Sequence, residues 1–134
     1  MLSWDVSWWA VIAAAAIYMF LGAAWYSPAA FGKKWAKLSG RKMEDMNGGN
    51  QGMAIMVVAA LVQAFLLANL VRDVGAISMS DGLLLGLVLW LGFVAATSLG
   101  DVLFGGRSWK LWQLNNGYYL IVLLINGWLL AVWK

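Results

Sequence analysis

Apolar residues run along this chain in four long blocks, and the charged residues collect between them. No charge falls within Val6–Gly32, Met46–Val71, Gly82–Gly100 or Leu111–Trp133. Each block supplies the roughly 20 residues that an α-helix needs to cross the hydrocarbon of a bilayer. Buried core helices are apolar too, but four such blocks in 134 residues are too many for so small a core. The pattern predicts an all-α, polytopic membrane protein forming a single domain over 1–134, with four transmembrane helices. The spans fall near 8–27, 53–71, 81–103 and 112–133.

A different period appears in WYSPAAFGKKWAKL, residues 25–38. Trp25 and Tyr26 suit the headgroup level where the first span leaves the hydrocarbon. Pro28 cannot donate to a helical ladder and biases Ser27 away from helix, so a break is expected there. Beyond it Phe31, Trp35 and Leu38 fall on one helical face, with Lys33, Lys34 and Lys37 on the opposite arc. That is a short amphipathic helix lying in the interface near 29–39, rings down and ammonium groups toward anionic lipid headgroups. Arg41 and Lys42 carry the basic run into a polar loop over Glu44–Gly52. An anchor is the plain reading of this segment, and a platform for an acidic partner the alternative.

Charge placement orients the spans. Seven cations (Lys33, Lys34, Lys37, Arg41, Lys42, Arg107, Lys110) lie in the first and third loops, and two (Arg72, Lys134) on the other side. Positive loops stay inside, so both termini are expected outside the cytoplasm. The start, MLSWDVSWW, has no basic stretch and reads as an interfacial beginning rather than a secretory signal. Trp4, Trp8, Trp9, Trp128 and Trp133 would form one aromatic belt and Trp25, Trp35, Trp109 and Trp112 the other, which leaves Trp90 near mid-membrane.

Composition then removes chemistry. Hydrophobic residues make up 63% and charged residues 11%, and there is no cysteine and no histidine. Disulfides, thiolate and imidazole catalysis, and the usual zinc or haem ligation are excluded. No nucleophile–base pair or phosphate loop is recognisable, so no enzyme activity, catalytic residue, metal or cofactor is expected. Nor is a nucleic-acid partner.

Polar residues inside the spans are the remaining pointers to function. The second span holds Gln63 and Asn69. Gly82, Gly86, Trp90, Phe93, Thr97 and Asp101 make one stripe on the third, opening with GxxxG. Asn115, Tyr119, Val122 and Asn126 make another on the fourth. One reading is helix packing, through Gly82 and Gly86 and amides bonded across helices. The other is a polar path or ligand site between the third and fourth spans, with Gln63, Trp90, Thr97, Asp101, Asn115, Tyr119 and Asn126 as candidates. Asp101 sits near a boundary, so a salt bridge to Arg107 or Lys33 competes with an ion site. The glycine face and an alanine-rich face at Ala10, Ala13 and Ala14 exceed what one neighbour can cover, which suggests a homo-oligomer.

FGKKWAKL (31–38) and FGGRSWKL (104–111) echo each other, as a duplicated hairpin or simple convergence would produce. WYSPAAFGKKWAKLSG (25–40), GLLLGLVLWLGFVAATSL (82–99) and FGGRSWKLWQLNNGYYLI (104–121), in that order, give a broader likeness. Together they resemble the bacterial domain-of-unknown-function family 1761. The resemblance implies a small membrane protein and transfers no activity and no site residue. A fainter likeness is to the tryptophan-rich sensory proteins that bind porphyrins, but those look like five-helix proteins. Two functions are expected: a small oligomeric transport- or ligand-binding-type protein, or a non-transporting accessory subunit docked to lipids or a larger membrane complex.

Overall fold

Helix limits in the computed structural model, which describes residues 2–41 and 49–133, follow local capping. The helices are α1 (Trp8–Trp25), α2 (Gly32–Ser39), α3 (Gly49–Asp73), α4 (Met79–Leu103) and α5 (Trp109–Val132). No strand occurs among the described residues. Lys42, most of the polar loop after it, and Lys134 lie outside them.

The hydrophilic caps move two starts outward from the apolar blocks. Ser78 accepts the Asp81 N–H at 3.2 Å while Asp81 accepts the Ile77 N–H at 3.2 Å, so α4 begins at Met79. Ser108 accepts the Leu111 N–H at 3.0 Å, which brings Trp109 and Lys110 into the first turn of α5. At the proline break the helix starts later than periodicity suggests, at Gly32 rather than near residue 29. Ala30 and Gly32 both donate to the Ser27 carbonyl, at 3.0 and 2.9 Å, and hold a tight turn. A Cβ at Gly32 would collide with the Tyr26 and Ser27 backbone, so that turn needs glycine.

Four helices are long and apolar enough to cross a membrane, and the chain is a multi-pass membrane protein. They do not pack as a square. In α5, 44% of the apolar window is buried, against 17–28% in the other three, so α5 is the centre of the assembly. α1, α3 and α5 pack against one another, and α4 lies against α5 alone among the major helix contacts. The three-helix core is built from small residues (Ala10, Ala14, Ala60, Ala64, Ala131) with Val11, Leu67 and Leu123 filling between them. Close helix approach of this kind is how spans associate where lipid gives no hydrophobic push. Outward faces carry Ile55, Val58, Leu84, Leu91 and Phe93, all exposed as lipid contact requires.

The glycine face of α4 is used inside the chain. A Cβ on Gly82 would strike the Gly127 carbonyl, and one on Gly86 the Leu123 carbonyl. Gly127 in turn faces Gly82. With the alanine face also covered, by the three-helix core, the packing argument for a second copy at these two faces falls away. The echoing octapeptides do not fold alike either. FGKKWAKL is helical from Gly32, whereas FGGRSWKL turns through Gly106 at φ 74° and becomes helical only at Trp109.

Candidate functional site

The polar side chains gather along the seam where α1 meets α5, with α3 alongside. Asn126 is 1% exposed, and its Nδ2 donates to the Ala14 carbonyl at 3.1 Å. Its Oδ1 is buried and has no partner among the described residues. The Oε1 of Gln63 is likewise buried and unpartnered, on the face of α3 that also presents Ala60 and Ala64 to the core. At about 1.5 Å per residue, Asn126 lies about 10 Å in from Trp133 and Gln63 about 14 Å in from Arg72. The two stranded acceptors therefore sit at similar depth. The amides do not satisfy each other.

Toward the α2 end the seam becomes aromatic. Tyr118 stands among Tyr18, Tyr26 and Tyr119, with ring centroids 6.0, 5.6 and 5.5 Å away. Its hydroxyl donates to the Tyr18 carbonyl. Gly22 makes the space, since a Cβ there would stand 2.9 Å from the Tyr118 oxygen. Tyr26 donates to Asn115 Oδ1 at 2.8 Å, and Trp25 Nε1–H to the Leu114 carbonyl at 3.1 Å. Burial raises the Tyr26 phenol above the ordinary tyrosine value, and Tyr119, Tyr118 and Tyr18 add to the effect. It therefore stays protonated and remains a donor to Asn115.

Between α4 and α5 lies a second network, one position away from the stripe expected there. Residues Trp90–Ala95 form a π segment. The extra residue in its turn rotates the remainder of α4, so Ser98 rather than Thr97 faces α5. Trp90 Nε1–H donates to the Asn116 carbonyl at 2.9 Å, and Trp112 Nε1–H to Ser98 Oγ at 2.9 Å. Ser98 Oγ lies 3.1 Å from Asn116 Oδ1, and Asn116 Nδ2 donates to the Trp112 carbonyl at 3.0 Å. Every group in this set is used, so it clamps two helices and leaves nothing over for a ligand.

A family model described as "Protein of unknown function (DUF1761)" matches residues 9–131. The chain belongs to DUF1761. No curated protein and no solved structure matches it. In this DUF1761 chain the match takes in both networks and the basic helix, while Asp5 and Trp133 fall outside it.

The sequence-predicted residues divide accordingly. Asn115 and Asn126 belong to the α1–α5 seam, Gln63 to the face of α3 that meets the core, and Trp90 to the α4–α5 clamp. Thr97 and Asp101 are exposed on α4, and Tyr119 is 36% exposed on α5. The stripes of α4 and α5 thus do not enclose a path between them. Among the described residues no ion pair joins Asp101 to Arg107 or Lys33; instead the Arg107 N–H closes the turn on the Asp101 main-chain carbonyl at 3.0 Å. Trp25 and Trp112, expected in an aromatic belt, each hydrogen-bond to a neighbouring helix. Lys33, Lys34 and Lys37 are exposed on α2, whose Trp35 packs against Tyr26 at 6.2 Å. Sequence reading passed over Ser98, Asn116 and Tyr118. For Asn116 and Tyr118 the signal was adjacency, since they neighbour the selected Asn115 and Tyr119 and differ only in face.

Proposed function

We propose that the chain is a small transport- or ligand-binding-type membrane protein whose polar path follows the α1–α5 seam. One observation carries this reading: Gln63 Oε1 and Asn126 Oδ1 are buried at membrane depth without a donor among the described residues. Each stranded acceptor costs about 1–3 kcal/mol, a cost that folding alone gives no reason to keep. Two buried acceptors without donors suit water or a cation, which bring donors or positive charge. We read the protein as a non-enzyme. Its chain has no histidine or cysteine, the side chains most often used for acid–base and thiolate catalysis.

Placement and partners belong to the same proposal. In this reading the α2 end lies in the cytoplasm of a bacterium and the termini outside, with Lys33, Lys34 and Lys37 on anionic headgroups of the inner membrane; the basic loops support it. Homo-oligomerisation shifts to the outer face of α4 and the rim of α5. There the exposed Thr97 hydroxyl has no hydrogen-bond partner among the described residues, and a second copy would cover it. The same apolar face on α4 supports the second reading, an accessory subunit that docks α4 against a larger membrane complex.

Absence of cysteine makes labelling simple. In intact cells, an impermeant thiol reagent should modify Ser78→Cys and spare Arg107→Cys; the reverse pattern would overturn the orientation. Purified protein in vesicles should admit labelled sodium or tetramethylammonium ions faster than protein-free vesicles do. Equal rates would favour the accessory reading.

A further inference from the structure

The termini end of the three-helix core opens into a cleft of about 240 Å³. Its rim carries Asp5, Ser7, Arg72 and Trp133, and its floor includes Ala10 and Leu130. We propose that this cleft binds an alkylammonium group, its charge on Asp5 and its attached chain along the apolar floor.

The charges on the rim differ in what they are already doing. Arg72 is committed to its neighbours: Nε and Nη2 donate to Asp73 Oδ1 at 3.1 and 2.9 Å, and Nη2 to Asn69 Oδ1 at 2.8 Å. Asn69 is 1% exposed and also accepts the Ser3 N–H at 2.8 Å, so it holds both the guanidinium and the N-terminal segment. That segment is what carries Asp5 over the end of α3. The Asp5 carboxylate has no ion pair or side-chain hydrogen bond among the described residues. With Arg72 held by Asp73 and Asn69, the Asp5 carboxylate is the charge among the described lining residues that is left to meet a ligand, which favours a cation over a phosphate. Trp133 lines the same space, and an indole there can attract an ammonium group. The volume lies below the roughly 300–1,000 Å³ of drug-sized pockets, so it fits a headgroup and a short length of chain. A longer chain leaves through the open side into lipid.

Two sources offer this chemistry: a free amphiphilic amine, or the ethanolamine headgroup of a phospholipid. The test titrates full-length protein in detergent with hexylammonium, hexanol, dihexanoyl phosphatidylethanolamine and dihexanoyl phosphatidylglycerol, and follows the unfolding temperature. Hexylammonium should stabilise the protein and hexanol should not, a comparison that needs no variant. Asp5→Asn should weaken hexylammonium binding about tenfold, and Asp5→Glu should retain it. Stabilisation by the ethanolamine lipid but not the glycerol lipid assigns the headgroup as a source; stabilisation by hexylammonium alone assigns a free amine. Equal effects of hexylammonium and hexanol, or unaltered binding in Asp5→Asn, would overturn the proposal. It stands apart from the passage reading: binding without ion uptake retains this site and removes the path, and uptake without binding does the opposite.

Discussion

Replacing Gly86 by Ile is expected to unseat α4 from α5 and to lower folding stability by about 3 kcal/mol, the upper end for overpacking. The reason is that its neighbour is backbone. The new Cβ would meet the Leu123 carbonyl and lie 3.1 Å from the Leu124 Cα, and neither can rotate away as a side chain would. Gly82 repeats the constraint one turn earlier, where an added Cβ would stand 2.7 Å from the Trp128 Cα, so the two helices have no slack along their termini half. Since α5 is the main partner of α4, no comparable helix contact among the described residues would hold it. Gly92→Ala is the control, because nothing stands within 4 Å of the added Cβ. It should leave stability unchanged or raise it by about 0.5–1 kcal/mol through helix propensity. Denaturant unfolding in detergent, read beside the mass of the assembly, separates the cases. A Gly86→Ile variant that stayed folded and only lost mass would place this face between copies instead.

The uncharged blocks made the four spans legible, because length and apolarity are what a bilayer demands of a helix. Pro28 and the Phe31/Trp35/Leu38 spacing likewise located the interfacial helix, though the turn closed on the Ser27 carbonyl delays its start to Gly32. The arrangement of the spans was not legible. Gly82 and Gly86 announce a close contact and do not say whether it lies within the chain or between copies. On α4 the expected polar stripe does not follow the face that meets α5, for a geometric reason. A stripe at α-helical spacing leads from Trp90 to Thr97 and Asp101, but the π segment at Trp90–Ala95 adds a residue and brings Ser98 to α5. No residue in WLGFVA signals that insertion. On α5 the stripe through Asn115 and Asn126 was correctly spaced, but it faces α1 rather than α4.

Asn126→Leu should separate stability from function. The change removes one hydrogen bond, to a carbonyl that already serves the α1 ladder, at a cost of about 0.5–1.5 kcal/mol. It also removes the stranded Oδ1, which recovers about 1–3 kcal/mol. The variant should therefore be as stable as the parent or slightly more so. Uptake of sodium or tetramethylammonium ions should nevertheless fall roughly tenfold or more, the effect of losing about 1.4 kcal/mol of stabilisation in the crossing step. If Asn126 were only an adhesive between helices, stability would fall and uptake would be unaffected.

Both outcomes depend on whether the seam is wet. Water-edited solid-state NMR on the unaltered protein in lipid bilayers reads this at the side-chain amides themselves. Magnetisation from water should reach Gln63 and Asn126 well before it reaches Val11 and Leu67, which are buried in the apolar core. If the two amides polarise as slowly as Val11 and Leu67, the interior is dry, and the α1–α5 seam is a packing surface rather than a path.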